Sequence, residues 1–196
     1  SNASINQNSA IGYQALTALT GGSGGNTAIG ALAAKSQTSG QYSVAIGVVS
    51  LYNNTIGNHN IAIGMNSLGT NTSGGYNVGV GSYTLYSNST ATGSTALGYY
   101  ALYYNSSGNY NTAVGYLAGS NSTTVSELTS LGAYALYSNT TGICNVALGF
   151  SALKVNLTGN NNTSVGYQSC FSSTVSGLTA VGYNSLYATT TGTNNT

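Results

Sequence analysis

An aliphatic residue followed at once by a glycine recurs along the whole chain, at Ile11-Gly12, Ile29-Gly30, Ile46-Gly47, Ile63-Gly64, Val80-Gly81, Leu97-Gly98, Val114-Gly115, Leu131-Gly132, Leu148-Gly149, Val165-Gly166 and Val181-Gly182. The glycines are spaced by 18 residues once, by 17 residues eight times and by 16 residues once. Upstream of each glycine, as in Asn111-Thr112-Ala113-Val114-Gly115, β-branched or aliphatic positions alternate with Ala, Gly or Ser. Alternation with period two predicts a short strand in every repeat, closed by the glycine. Four residues after the glycine comes Leu16, Leu51, Leu68, Leu85, Leu102, Leu136, Leu153 or Leu186, preceded by a small residue. The limb around it, such as 98–105 (GYYALYYN), fits one face of a helical turn but is rich in strand formers; a second short strand or an irregular limb is the favoured reading. Asn-x-Thr and a second glycine (Gly40, Gly57, Gly74, Gly108, Gly142, Gly159, Gly192) then predict a turn.

Seventeen residues with a strand and two glycine-marked corners predict one coil of an all-β parallel β-solenoid. Eleven such coils, each advancing about 4.8 Å, give a rod roughly 50 Å long. The sequence has no proline, as expected where backbone N–H groups are needed for pairing between coils. Residues 1–3 (Ser-Asn-Ala) read as a cloning remnant, and 4–196 as a single repeat domain cut from a longer fibre.

The side-chain alternation also assigns faces. Thr112 and Val114, with their equivalents, are expected to face the coil's own thin core. The small column between them (Ala28, Ala45, Ala62, Gly79, Ala96, Ala113, Ala147) is expected to face outward and admit another chain's backbone at a homotrimer interface. The neighbouring asparagines Asn26, Asn60, Asn77, Asn111, Asn145 and Asn162 are expected beside it, near the oligomer axis.

Composition narrows the function. Charged residues make up 2% of the chain, Lys35, Lys154 and Glu127, and the net charge is +1. That is no footprint for nucleic acid or for an anionic membrane. No run of about 18 apolar residues exists, so no membrane-inserted helix is expected. Two carboxylates or a Ser-His-Glu triad cannot be assembled from one Glu and one His held four coils apart, so no enzyme and no cofactor are expected. His59 around an oligomer axis is a weak metal candidate. Cys144 and Cys170 fall at different phases of the coil, which argues against an intrachain disulfide, and Cys170 stands where leucine is usual.

Tyr52, Tyr86, Tyr103, Tyr137 and Tyr187 share a column with Lys35 and Lys154, which suggests a water-facing aromatic row. Such a row suits contact with a glycan or protein receptor, or it only stiffens the rod. N-x-[ST] sequons at Asn71, Asn88, Asn105, Asn139 and Asn156 share one phase beside the second glycine, where turn chemistry is the simpler account.

The repeated NTAVG-type pentapeptide resembles the head repeats of YadA-like trimeric autotransporter adhesins. The longer unit, NTAVGY at 111–116 with ALYSNTTG at 135–142, is similar to repeats of bacteriophage tail-fibre proteins. The resemblance covers 8–196 and implies a left-handed β-roll with three chains around one axis. It also implies an extracellular place, on a virion tail fibre or a bacterial surface, and a role in spacing or presenting elements that attach to a host. The alternative is an ice-binding solenoid built on the threonine column Thr20, Thr38, Thr55, Thr72, Thr123, Thr140, Thr174 and Thr190.

Overall fold

The computed structural model describes residues 7–20 and 24–196, so residues 1–3, expected to be a cloning remnant, lie outside the described residues. Each repeat contributes one strand of three residues, β1 (Ser9–Ile11), β2 (Thr27–Ile29), β3 (Val44–Ile46), β4 (Ile61–Ile63), β5 (Val78–Val80), β6 (Thr95–Leu97), β7 (Thr112–Val114), β8 (Thr129–Leu131), β9 (Val146–Leu148), β10 (Thr163–Val165) and β11 (Thr179–Val181). They form one parallel sheet in sequence order, β1 to β11. The register is the repeat itself: Thr112 pairs with Thr129, Ala113 with Ser130 and Val114 with Leu131. The protein is a parallel β-solenoid.

Hydrogen bonds join the coils all the way round, not only at the sheet. The Leu102 N–H donates to the Ala118 carbonyl at 3.0 Å, Tyr104 to Ser120 at 3.0 Å and Ser106 to Thr123 at 2.7 Å. The limb around Leu102 forms neither a second strand nor a helix, and corresponds to the irregular alternative. It bends because alternate residues adopt the left-handed conformation: φ is 58° at Tyr100 and 50° at Leu102, and the same holds two and four residues after most anchor glycines. A third left-handed residue, Tyr110 at 57°, turns the chain back into the strand. Such angles are uncommon for bulky side chains. Here every turn is locked to the turn above and below, and the leucine that bends is also the largest residue inside.

The interior is lined by Ala101, Leu102, Asn105, Asn111 and Ala113, all fully buried, and by their equivalents in the other coils, which become partly exposed only toward the ends, as at Ala10 and Leu186. This reverses the predicted strand faces. The small column Ala28, Ala45, Ala62, Gly79, Ala96, Ala113 and Ala147 points into the coil, and a residue buried in its own chain cannot form an oligomer contact. The asparagine ladder is likewise internal and not near an axis. The reason is volume: with one leucine reaching in from the opposite limb, only a small side chain, Ala, Gly or Ser, fits between the sheet and that limb.

Two asparagine ladders make so small a core workable. Asn111 donates through Nδ2 to the Gly108 and Val125 carbonyls at 3.2 and 2.6 Å, and its Oδ1 accepts from the Leu128 N–H at 2.9 Å. Asn71 donates to Asn54 Oδ1 at 2.8 Å and to the Gly74 carbonyl at 3.0 Å. Corner backbone groups that cannot reach a neighbouring coil are satisfied from inside. Two coils replace this arrangement together. Where Leu becomes Gly119, the corner and the ladder become Val125 and Leu128; where it becomes Cys170, they become Val175 and Leu178. All four replacements pack in one apolar cluster.

Candidate functional surfaces

With Ala113 inside, Thr112 and Val114 face out. The strand face therefore presents three outward columns: the residues three and one before the anchor glycine, and the residue after it. Leu97 is 47% exposed, Leu148 44% and Val181 71%, and beside them stand Met65, Tyr99, Tyr116, Phe150, Tyr167 and Tyr183, all exposed. Ten coil rises by about five strand residues give a face on the order of 700 Å², largely apolar in two columns but mostly hydroxyl-bearing in the third (Ser9, Thr27, Thr95, Thr112, Thr129, Thr163 and Thr179). None of its residues is charged.

The predicted tyrosine column lies on the next limb. Tyr52, Tyr86, Tyr103 and Tyr137 are half-buried, and Tyr187 is exposed. Their ring faces are largely given to one another: Tyr86 and Tyr103 stack at 5.2 Å and 11°, and Tyr100 lies on Tyr103 at 4.5 Å and 15°. Lys35 sits over Tyr52 at 5.7 Å, and Lys154 over Tyr134 at 4.8 Å, as cation–π partners. Loss of solvation among these rings pushes the Tyr100 phenol up to about 12, helped by a hydrogen bond with Tyr99; burial also raises Tyr103 and Tyr116.

A second aromatic line went unread in the sequence because it changes column. Tyr83, Tyr99, Tyr116, Tyr134, Phe150, Tyr167 and Tyr183 follow one another with ring centroids 6.4, 5.7, 5.4, 6.0, 5.4 and 5.4 Å apart. Where the residue after the glycine is small, as at Ser82 and Ala133, the next residue, Tyr83 or Tyr134, supplies the ring. The signal was there as a paired substitution.

The remaining candidates resolve individually. The sequon asparagines Asn71, Asn88, Asn105, Asn139 and Asn156 are fully buried, each with its amide on a corner carbonyl, so turn chemistry accounts for them. In the threonine column, Thr38, Thr55, Thr72 and Thr140 each donate their hydroxyl to a carbonyl one coil on. Cys144 and Cys170 are free, and Cys170 is buried where leucine is usual. Cys144 donates to Glu127 Oε2 at 3.5 Å, and that bond raises its thiol pKa. His59 lies between Tyr42 and Tyr76, at 5.1 and 5.0 Å. Among the described residues there is no enclosed pocket and no group of three or more His, Cys, Asp or Glu side chains placed to hold a metal. Among the described residues, no helix is long and apolar enough to cross a membrane.

Comparison with known families, curated proteins and solved structures finds no match. The class of the protein is thus defined by its fold alone, an eleven-strand parallel β-solenoid with coils of about 17 residues.

Proposed function

We propose that this chain is a structural segment of an extracellular fibre, in which three copies pack side by side through the outward strand face and space or present attachment elements. One observation carries the reading: a rod-long, uncharged strand face on which two columns of largely aliphatic and aromatic side chains point outward. Water-exposed apolar area of this extent marks an association surface. The count of three and the left-handed β-roll come from the resemblance to trimeric adhesin heads and tail-fibre repeats. Either a virion fibre or a bacterial surface fits the charge-poor polar exterior.

Catalysis is not part of this reading. An ice-binding role on the threonine column is disfavoured because those hydroxyls are engaged with the next coil. Receptor contact by Tyr52, Tyr86, Tyr103, Tyr137 and Tyr187 is disfavoured for the same kind of reason: stacked rings leave edges and hydroxyls, not faces, for a sugar.

Sedimentation equilibrium tests the assembly. The expected mass is three times 19.6 kDa. Leu97→Lys with Leu148→Lys, which puts two charges on the strip without touching the coil interior, is expected to give a folded monomer. A monomer mass for the unsubstituted chain overturns the reading.

A further inference from the structure

We propose that the rod has a built-in point of local opening, the corner 122–128, which swings away from the stack while the sheet and the leucine-bearing limb stay closed. The inference is independent of how the chain assembles. Corners are joined from coil to coil by several series of equivalent hydrogen bonds. Each of these series misses a rung at the same place, between this corner and the corner 140–145 of the next coil.

Eight residues after the anchor glycine, the N–H groups of Thr38, Thr55, Thr72, Ser89 and Ser106 donate one coil on at 3.0, 2.9, 2.9, 3.0 and 2.7 Å, and Thr140 does so at 2.9 Å. Thr123 stands between them, and only its hydroxyl reaches the Thr140 carbonyl, at 3.4 Å. Five residues before the anchor glycine, His59, Tyr76, Gly93, Tyr110 and Glu127 donate one coil back, as does Asn161. Among the described residues, Cys144 alone in that run makes no such bond.

The side-chain series break with them. The N–H groups of Thr92 and Asn109 find Asn109 Oδ1 and Ser126 Oγ, both at one coil's distance along the chain. The N–H of Ser126 meets Ile143 instead, which has no side-chain acceptor. Leu128 and Asn162 donate to Asn111 Oδ1 and Asn145 Oδ1, whereas the N–H of Asn145 meets Leu128, which again offers none. Inside, Asn105 Oδ1 holds the Gly108 N–H at 3.1 Å. Ser122 occupies the Asn105 position, makes no such bond to Val125, and its buried hydroxyl has no partner. The apolar core divides at the same place, one cluster ending at Ala118 and the other starting at Val125.

The corner 106–111 is tied to the coils on both sides, but 122–128 is tied only to the coil before it. Towards the next coil it is held chiefly by the burial of Val125 and Leu128, which is not directional. Its neighbours in the chain are firmly placed: Gly119 donates to Ala135 at 2.9 Å, Asn121 to Tyr137 at 3.2 Å and Thr129 to Asn145 at 2.9 Å. Those bonds fix the two ends between which the corner moves. Segments with few hydrogen bonds to their surroundings open first.

Hydrogen exchange followed residue by residue by NMR tests this. Glu127 makes the same backbone bond as Tyr76 and Tyr110, and Leu128 the same side-chain bond as Asn77 and Asn162. Glu127 and Leu128 are expected to be protected about tenfold less than those counterparts. The strand amides of Thr129 and Val146 are expected to match that of Thr95. Ile143→Asn, an exposed change that gives the Ser126 N–H an acceptor, is expected to restore about two- to tenfold of the protection. Gly119→Leu with Ser122→Asn, Val125→Gly and Leu128→Asn reinstates the residues of the preceding coil and is expected to restore protection at Glu127. Equal protection of Glu127 and its counterparts overturns the proposal. So does an equal loss at Thr129 and Val146, which would mean that the whole coil unfolds, or a low protection at Glu127 that persists in both variants.

Discussion

Gly115 and Gly182 occupy the same column, and their surroundings separate two costs that are usually entangled. Both have φ in the range that L side chains rarely adopt, 138° and 123°. A Cβ on Gly115 would lie 2.6 Å from the Gly132 carbonyl carbon, whereas a Cβ on Gly182 would meet nothing within 4 Å. Gly182→Ala should therefore cost only the backbone strain, about 1–3 kcal/mol. Gly115→Ala adds a clash with the backbone of the next coil, which no rotamer relieves, and should exceed about 4 kcal/mol. Urea unfolding of the two variants measures the difference directly. Equal losses would mean that strain, not coil-to-coil contact, fixes this column as glycine. The buried asparagines work at the same scale: they exchange the hydration of an amide for hydrogen bonds to corner backbone groups, and the two ladders share carbonyls such as those of Gly74 and Gly108.

At the scale of the element, the aromatic lines give the rod an alkaline limit. In the folded chain the phenol of Tyr100 is pushed from its ordinary 10.0 to about 12 by lost solvation, and Tyr103 and Tyr116 move in the same direction. Below pH 10 these groups are protonated whether the chain is folded or not, and their contribution is intact. Between pH 10 and about 12 the unfolded chain releases its protons first, so stability falls as pH rises. Thermal melts from pH 9 to 12 should show a falling midpoint over that window. Tyr100→Phe with Tyr103→Phe should flatten the slope, and an unchanged slope would show that these rings titrate as they do in water.

For the whole molecule, the solenoid is a stack in which each coil bonds only to its neighbours, so stability grows with coil number. Deleting 99–115 removes one complete period and joins Gly98 to Tyr116, preserving every column. The shortened chain should fold with the same circular dichroism per residue and a slightly lower unfolding midpoint. Deleting 99–106 instead shifts all later columns out of phase and should prevent folding of the distal half. Scattering or electron microscopy should show the first variant shorter by about 4.8 Å. The proposed self-association belongs to this scale too, since a core of one leucine and a few methyl groups per coil leaves most of the aliphatic side chains outside.

The sequence by itself determined the period, the strand in each coil, its glycine corner and the parallel stacking. A 17-residue repeat of alternating residues has few other ways to pair its backbone. The tertiary structure decided which side of the strand is inside. Alternation with period two labels two faces but not which is which. Leu102 reaching across from the opposite limb leaves room only for Ala113, which drives Thr112 and Val114 outward and turns the expected core into the rod's exposed strip. The left-handed angles of Tyr100, Leu102 and Tyr110 were equally hidden, since nothing in a tyrosine or leucine announces them. They become tolerable only when every coil makes the same bend against the next.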